Sequence, residues 1–286
     1  MNRKPRVAVL TGDGINCEVE MAYAFRLAGA QADIIHLTDL FNGDRTLEPY
    51  QMLGLPGGFH AGDDLCSGKV LANQLRTKLR EPLAEFVEDG KLMIGICNGF
   101  QALVRAGMLP ATDGIDWKSD DPQVYQQATL AANDSGRFED RWVTVRTPTM
   151  LEELIDTDGP VTPFTKYVRQ IDLPVRHGEG KFVSSRKMMD KMWSNRQISY
   201  LYANPCSGER TAGYPCNPNG AMDDIAAISD PTGRIFGMMP HPEAYNHPTN
   251  HPDYTRWPRE KRRAMKEGEG IAILRGGVEY ARERLL

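Results

Sequence analysis

The stretch Lys91-Leu-Met-Ile-Gly-Ile-Cys-Asn-Gly-Phe-Gln101 decides the architecture of this chain. An apolar run of the kind that forms a buried strand stops at Gly95-Ile-Cys-Asn-Gly99, and a helical pattern starts at once. This is the thiol counterpart of the Gly-x-Ser-x-Gly elbow, in which a strand turns sharply into a helix. The two glycines remove Cβ atoms where such a turn crowds its neighbours. The sulfur of Cys97 then stands above the sheet at the positive end of the new helix, where negative charge on sulfur is favoured. A Cys placed this way suits attack on a carbonyl. The alternative is a small core residue, and the flanking glycines with the following helix weigh against it.

Working outward, Arg6-Val-Ala-Val-Leu10 reads as a first strand, followed by a loop at Gly12–Asn16. A helix is expected from Asn16 to Ala28, capped by Asn16, with Val19, Ala22, Phe25 and Leu27 on its apolar face. Ala32–Leu37 is a second strand and Gln51–Leu55 a third, closed by Pro56-Gly57-Gly58. Ser67 or Asp64 can cap one helix running through Asn73, Leu79 and Phe86 to Asp89-Gly90. Strands alternating with helices imply an α/β three-layer sandwich with a mainly parallel central sheet. Ligands of such sheets lie beyond the carboxyl ends of the strands. The loops Gly12–Asn16 and Pro56–Gly62 should therefore gather with the elbow at Cys97.

After residue 110 the pattern changes. Arg141–Arg146 and Ile171–Arg176 alternate or nearly so, and are expected as added antiparallel strands. Asp224–Ser229 and Arg234–Met239 form a hairpin about Asp230-Pro-Thr-Gly233. Residues 203–220, rich in Pro, Gly and Asn, are loop. Residues 244–263 read as an irregular arm, and Gly270–Leu286 as a closing helix. With no repeat and no clear linker, residues 1–286 are expected to be a single domain.

Composition narrows the function. The chain has 286 residues and a net charge of -4, so it lacks the basic footprint of a nucleic-acid partner. No apolar stretch approaches the roughly 20 residues of a membrane span. The N-terminus enters the first strand without an apolar signal segment, and the cytoplasm is the expected location. The five cysteines show no tight ligand spacing, so no metal is expected. Cys17, Cys66, Cys206 and Cys216 read as ordinary thiols.

A nucleophilic Cys needs a base and an oxyanion site. Met239-Pro-His-Pro-Glu243 supplies an imidazole after a strand end and a carboxylate two positions on. His241 can take the thiol proton while Glu243 fixes its tautomer. His177-Gly-Glu-Gly180 offers the same pair, and stays open as a rival base, a substrate-facing loop or a plain hairpin turn before Lys181-Phe-Val183. Pro56-Gly-Gly-Phe59 can aim backbone N–H groups at an oxyanion, with Gly58 and Asn98 sharing that work.

Taken together, Pro56-Gly-Gly-Phe59, Gly95-Ile-Cys-Asn-Gly-Phe-Gln101, His177-Gly-Glu-Gly180, Asn217-Pro-Asn-Gly220 and Met239-Pro-His-Pro-Glu243 carry a resemblance. From Arg6 to Glu243 the chain resembles the glutaminase components of phosphoribosylformylglycinamidine synthase, within the class I (triad) glutamine amidotransferases. The resemblance implies the flavodoxin-like fold of that class. It implies a triad of Cys97, His241 and Glu243. It makes Gly57, Phe59 and Gln101 contacts for L-glutamine, and turns His177 into a family signature that joins Gly178 in the glutamine-binding set. It implies a synthetase partner that receives the ammonia during purine biosynthesis. This chain has no P-loop or other ATP-binding pattern, so ATP and Mg are expected on that partner and no cofactor here. His60, Ala61, Asp64, Cys66 and Ala221 depart from the family pattern, which bears on loop contacts and leaves the triad intact. A cysteine peptidase or another thiol hydrolase on a related α/β fold is the alternative reading.

Overall fold

The structure, a computed structural model, describes residues 3–148, 162–210 and 213–286. Positions 211 and 212 of the expected loop at 203–220 lie outside the described residues. The centre of the fold comes from short strands whose side chains are buried on both faces. These are β1 (Arg6–Thr11), β3 (Met52–Leu55), β4 (Leu92–Ile96) and β11 (Ile235–Met238). With β2 (Gln31–His36) they form the parallel part of a sheet that has nine strands among the described residues, in the order β2-β1-β3-β4-β11. Near-continuous Val, Ile, Leu and Met, without alternation, is the pattern of strands covered on both sides. The sheet then continues antiparallel through β10 (Ile225–Ser229), β9 (Ile198–Ala203), β6 (Glu139–Arg146) and β7 (Gln170–His177). The expected hairpin about Asp230–Gly233 is the β10–β11 pair. Two further strands, β5 (Ala128–Ala131) and β8 (Lys181–Ser184), make a separate small sheet.

Helices cover the sheet. They are α1 (Glu18–Leu27), the short α2 (Leu37–Phe41), α3 (Lys69–Lys78), α4 (Arg80–Glu88), α5 (Asn98–Arg105), the short α6 (Pro122–Tyr125), α7 (Arg186–Ser194), the short α8 (Arg259–Ala264) and α9 (Ile271–Arg284). Among the described residues, none is long and apolar enough to cross a membrane.

Several local expectations are corrected. Helix α1 begins after Cys17, whose carbonyl accepts from Met21 N at 3.0 Å, and Asn16 does not cap it; the N–H groups of Asn16 and Cys17 donate to Gly57 O at 3.4 and 3.3 Å. Its inward face is Met21, Ala22, Ala24 and Phe25, whereas Val19 is 63% exposed. The single helix expected up to Gly90 is two, broken at Leu79 (φ -121°). Pro82 has no N–H for the carbonyl one turn back, and it sits comfortably only in a first turn. His177–Gly180 is not a hairpin turn, since β7 pairs with β6 and β8 with β5. The arm expected at 244–263 is irregular, a series of 3-10 turns followed by α8, and it is pinned by a fully buried Tyr245 and by aromatic packing of Trp142, Tyr245, His251 and Trp257.

The elbow explains why the two glycines stand where they do. A Cβ on Gly99 would lie 2.0 Å from Leu55 O, and one on Gly95 would lie 2.7 Å from the Gly99 backbone. Helix α5 therefore rests directly on β3 and β4. We expect Gly99→Ala to destabilise the protein by about 3 kcal/mol or more, since neither contacting backbone can yield. Gly213→Ala, whose Cβ meets nothing within 4 Å among the described residues, should stay within about 0.5 kcal/mol of wild type. Urea unfolding midpoints of the two variants check this.

Candidate active site

Cys97 lies between β4 and α5 with φ 52° and ψ -107°. A residue with a side chain occupies such a conformation only when its surroundings enforce it, at a strain of about 1–3 kcal/mol. The enforcement is visible. Its N–H donates to Met238 O at 2.8 Å, its carbonyl accepts from Gln101 N at 3.0 Å, and its thiol donates to Arg176 O at 3.5 Å.

The three expected loops meet at this point. Phe59 N donates to Gly14 O at 2.8 Å, and Asn98 Oδ1 accepts from His60 N at 3.3 Å. Asn98 Nδ2 reaches Asp63 at 3.0 Å and Gln101 Oε1 at 3.1 Å. The N–H of Asn98 is the first of α5, one of the donors that a helix start leaves without an intrahelical acceptor.

His241 stands three positions past the end of β11 and hangs from the added strands through a 2.9 Å bond from its N–H to Pro174 O. Its Nδ1 is 2.6 Å from Glu243 Oε1, and both side chains are fully buried. A Cβ built on Gly57 would lie 2.8 Å from His241 Cε1 and 3.4 Å from both Cys97 Cβ and Cys17 Sγ. Nucleophile and imidazole thus flank the same gap, which exists because residue 57 has no side chain. Burial, the largest single influence, disfavours the charged ring. The Glu243 carboxylate and then Cys97 outweigh it, with Cys17 adding to them, and hold the His241 pKa well above the usual value. Nε2 of His241 is buried with no hydrogen-bond partner among the described residues.

His177, the rival base, is placed differently. Its Nδ1 is 3.1 Å from Asn133 Oδ1, and its Nε2 is 3.4 Å from Asn219 Nδ2. Burial, helped by charge on His241, pushes its pKa down to about 3. A neutral ring held by two asparagines ties the His177–Gly180 loop to Asn217–Gly220. Gln101 is buried and donates to Glu179 O at 2.5 Å, which joins the elbow helix to the same loop. Gly178 lies within that loop, and its carbonyl accepts from Asn133 N at 2.9 Å. Phe59 is 45% exposed, its ring 6.1 Å from that of Phe138. The departing residues are also used: His60 Nε2 is 2.9 Å from Gln74 Oε1, and Ala221 N donates to Asn219 Oδ1 at 3.0 Å.

Two site residues escaped the sequence reading. Cys17 closes the far side of the Gly57 gap, and the Arg176 guanidinium lies 3.4 Å from His241 Nδ1 and 3.9 Å from Cys17 Sγ. The position of Cys17, directly after a loop expected at the site, was the available signal. No motif marked Arg176.

Known proteins match nearly the whole chain. Residues 4–281 match the model of the CobB/CobQ-like glutamine amidotransferase domain. The phosphoribosylformylglycinamidine synthase subunit PurQ of Dehalococcoides mccartyi is 40% identical, covering 98% of this chain and 99% of its own length. The subunit of the same name from Methanococcus maripaludis is 38% identical, over 96% of this chain and 97% of that protein. Among solved structures, a chain of PurLQS from Thermotoga maritima superposes with a TM-score of 0.67 at 26% identity, covering 97% of this chain and 99% of that one. A glutamine amidotransferase from the same organism, with a TM-score of 0.52 at 14% identity, shares the fold. The chain belongs to the PurQ family of phosphoribosylformylglycinamidine synthase subunits, within the CobB/CobQ-like glutamine amidotransferases.

Proposed function

We propose that this chain hydrolyses L-glutamine through Cys97, His241 and Glu243 and passes the ammonia to a synthetase partner that makes phosphoribosylformylglycinamidine. The observation that carries the reading is the gap at Gly57, lined by Cys97 on one side and by the Glu243-backed imidazole on the other. Family membership favours a glutamine side chain over a peptide bond as the target.

The Cys97 sulfur attacks the side-chain amide carbon of glutamine. The carbonyl oxygen gains negative charge, which the N–H groups of Gly58 and Asn98 stabilise, each worth about 2.7–4 kcal/mol in comparable sites. Imidazolium at His241 gives its proton to the departing nitrogen, the carbon–nitrogen bond breaks, and ammonia leaves a thioester on Cys97. Water then attacks the thioester, giving its proton to the neutral ring, and glutamate is released with the thiol restored. Glu243 favours the protonated ring in each cycle. Gly57, Phe59, Gln101 and Gly178 line the glutamine subsite, with His177 fixing the loop from behind. The chain's own steps need no cofactor. ATP and magnesium belong to the partner, which activates the acceptor, and an enclosed passage keeps ammonia unprotonated. The cytoplasm is the compartment that suits this chemistry and a free thiol nucleophile.

Cys97→Ala should abolish glutamine-dependent synthesis by the assembled enzyme and spare synthesis from added ammonium salts, assayed side by side. Retained glutamine turnover in that variant would refute the assignment. Gly57→Ala should push the imidazole off line and lower kcat by roughly 10²–10⁴-fold, the usual worth of a positioned acid–base group, while lowering the unfolding midpoint less than Gly99→Ala does, because its tightest contact is a side-chain end and not backbone.

The pH dependence follows from the raised His241 pKa. The protonated ring is the form that donates to ammonia, so activity is lost as pH rises through that pKa. Glu243→Gln removes the main influence that raises it and leaves burial to lower it. The alkaline limb of the kcat/KM profile should therefore move to lower pH, and an unmoved limb would show that Glu243 does not set the ring's protonation.

A further inference from the structure

Cys17, His241 and Glu243 form a trio that glutamine hydrolysis does not fully use. One ligand-capable atom from each lies within 4.8 Å of the others, and all three residues are buried. No other such group of His, Cys, Asp and Glu occurs among the described residues. One atom of the trio stands out further: Oε2 of Glu243 is buried without a hydrogen-bond partner among the described residues. A buried carboxylate oxygen without a donor is costly, and a cation relieves that cost.

The surroundings already attract positive charge. The half-buried Arg176 guanidinium leans on the trio, 3.9 Å from Cys17 Sγ and 3.4 Å from His241 Nδ1. Its side chain comes from β7 at the edge of the sheet, so it can withdraw without disturbing the core. A thiolate, an imidazole and a carboxylate are the donor set that zinc selects, with a fourth position left for water.

We propose that Cys17, His241 and Glu243 constitute an inhibitory site for zinc-like divalent cations. Binding releases the Cys17 thiol proton and the extra proton of the His241 imidazolium to solvent, and forms one sulfur–metal and one nitrogen–metal bond. The three side chains draw inward to reach metal–ligand distances of about 2.0–2.3 Å, and Arg176 swings away. The metal holds the imidazole that must otherwise carry the proton between Cys97 and ammonia, so the glutaminase stops until a chelator removes the ion. Cys97 itself is not a ligand, which separates this site from simple capture of a metal by nucleophile and base. The inhibitory consequence rests on the proposed glutaminase reading; the binding does not.

Titration of the full chain with Co²⁺ reads binding without any reference to activity. Wild type should develop a thiolate-to-cobalt charge-transfer band that saturates at one metal per chain and is displaced by Zn²⁺. Cys97→Ala should keep the band. Cys17→Ser, which preserves side-chain size, should lose it and weaken metal affinity by at least roughly 10–100-fold. Arg176→Gln, which removes a competing cation, should bind more tightly than wild type. In a parallel glutaminase assay, Zn²⁺ should inhibit wild type reversibly, with Cys17→Ser needing a correspondingly higher concentration. A band that survives in Cys17→Ser, vanishes in Cys97→Ala, or never forms in wild type would overturn the proposal. Absence of glutaminase activity with the band intact would count against the glutaminase reading alone.

Discussion

Helix α5 packs onto the sheet with no side chain between Gly99 and the Leu55 carbonyl, and the rest of the site depends on that contact. Because the helix begins so close to β3 and β4, the residue joining β4 to α5 has no room for an ordinary backbone conformation. Cys97 is held at positive φ, and its sulfur is presented beyond the sheet instead of within it. The same closeness brings the first amide of α5 beside the Gly57-Gly58 loop that ends β3. Strain is stored at one residue and supported by packing over several strands, which is how a fold keeps a reactive group in an unfavourable geometry.

Opposite the elbow, the base is delivered by a different part of the architecture. His241 leaves β11, the strand where the parallel half of the sheet meets the antiparallel half, and its backbone is fastened to Pro174 of β7. The nucleophile thus belongs to the parallel layer, whereas the base is steadied by the added strands. Glu243, two residues on and fully buried, has the imidazole as its neighbour in place of water. In that setting charge on the carboxylate is felt strongly by the ring, and it overrides the burial that drives nearby His177 in the other direction.

Much of this was legible in the sequence because it is local. The elbow, the Pro-Gly-Gly-Phe loop and Pro-His-Pro-Glu are runs whose chemistry is contained in a few residues, and the strands that carry them are apolar throughout. What was not legible depends on pairing between distant segments. Whether His177 is base or buttress turns on Asn133 and Asn219, which lie more than 40 positions away on either side. The turn after β7 looked like a hairpin because β8 follows at hairpin distance, yet β7 chose β6, with which it matches residue for residue along eight positions. That pairing also aims Arg176 at the imidazole, so its place in the site was invisible without the register. Cys17 was hidden for a related reason, since only the bonds from Asn16 and Cys17 to Gly57 O bring its sulfur to the gap.

The account stands on Cys97 being the one thiol whose environment makes it react with a glutamine-shaped carbonyl. Treatment of the purified chain with a diazo-ketone analogue of glutamine, followed by peptide mass mapping, tests this directly. One adduct, on Cys97, blocked by excess glutamine, is the predicted result. Modification of Cys17 in its place, or equal labelling of all five cysteines, would contradict it.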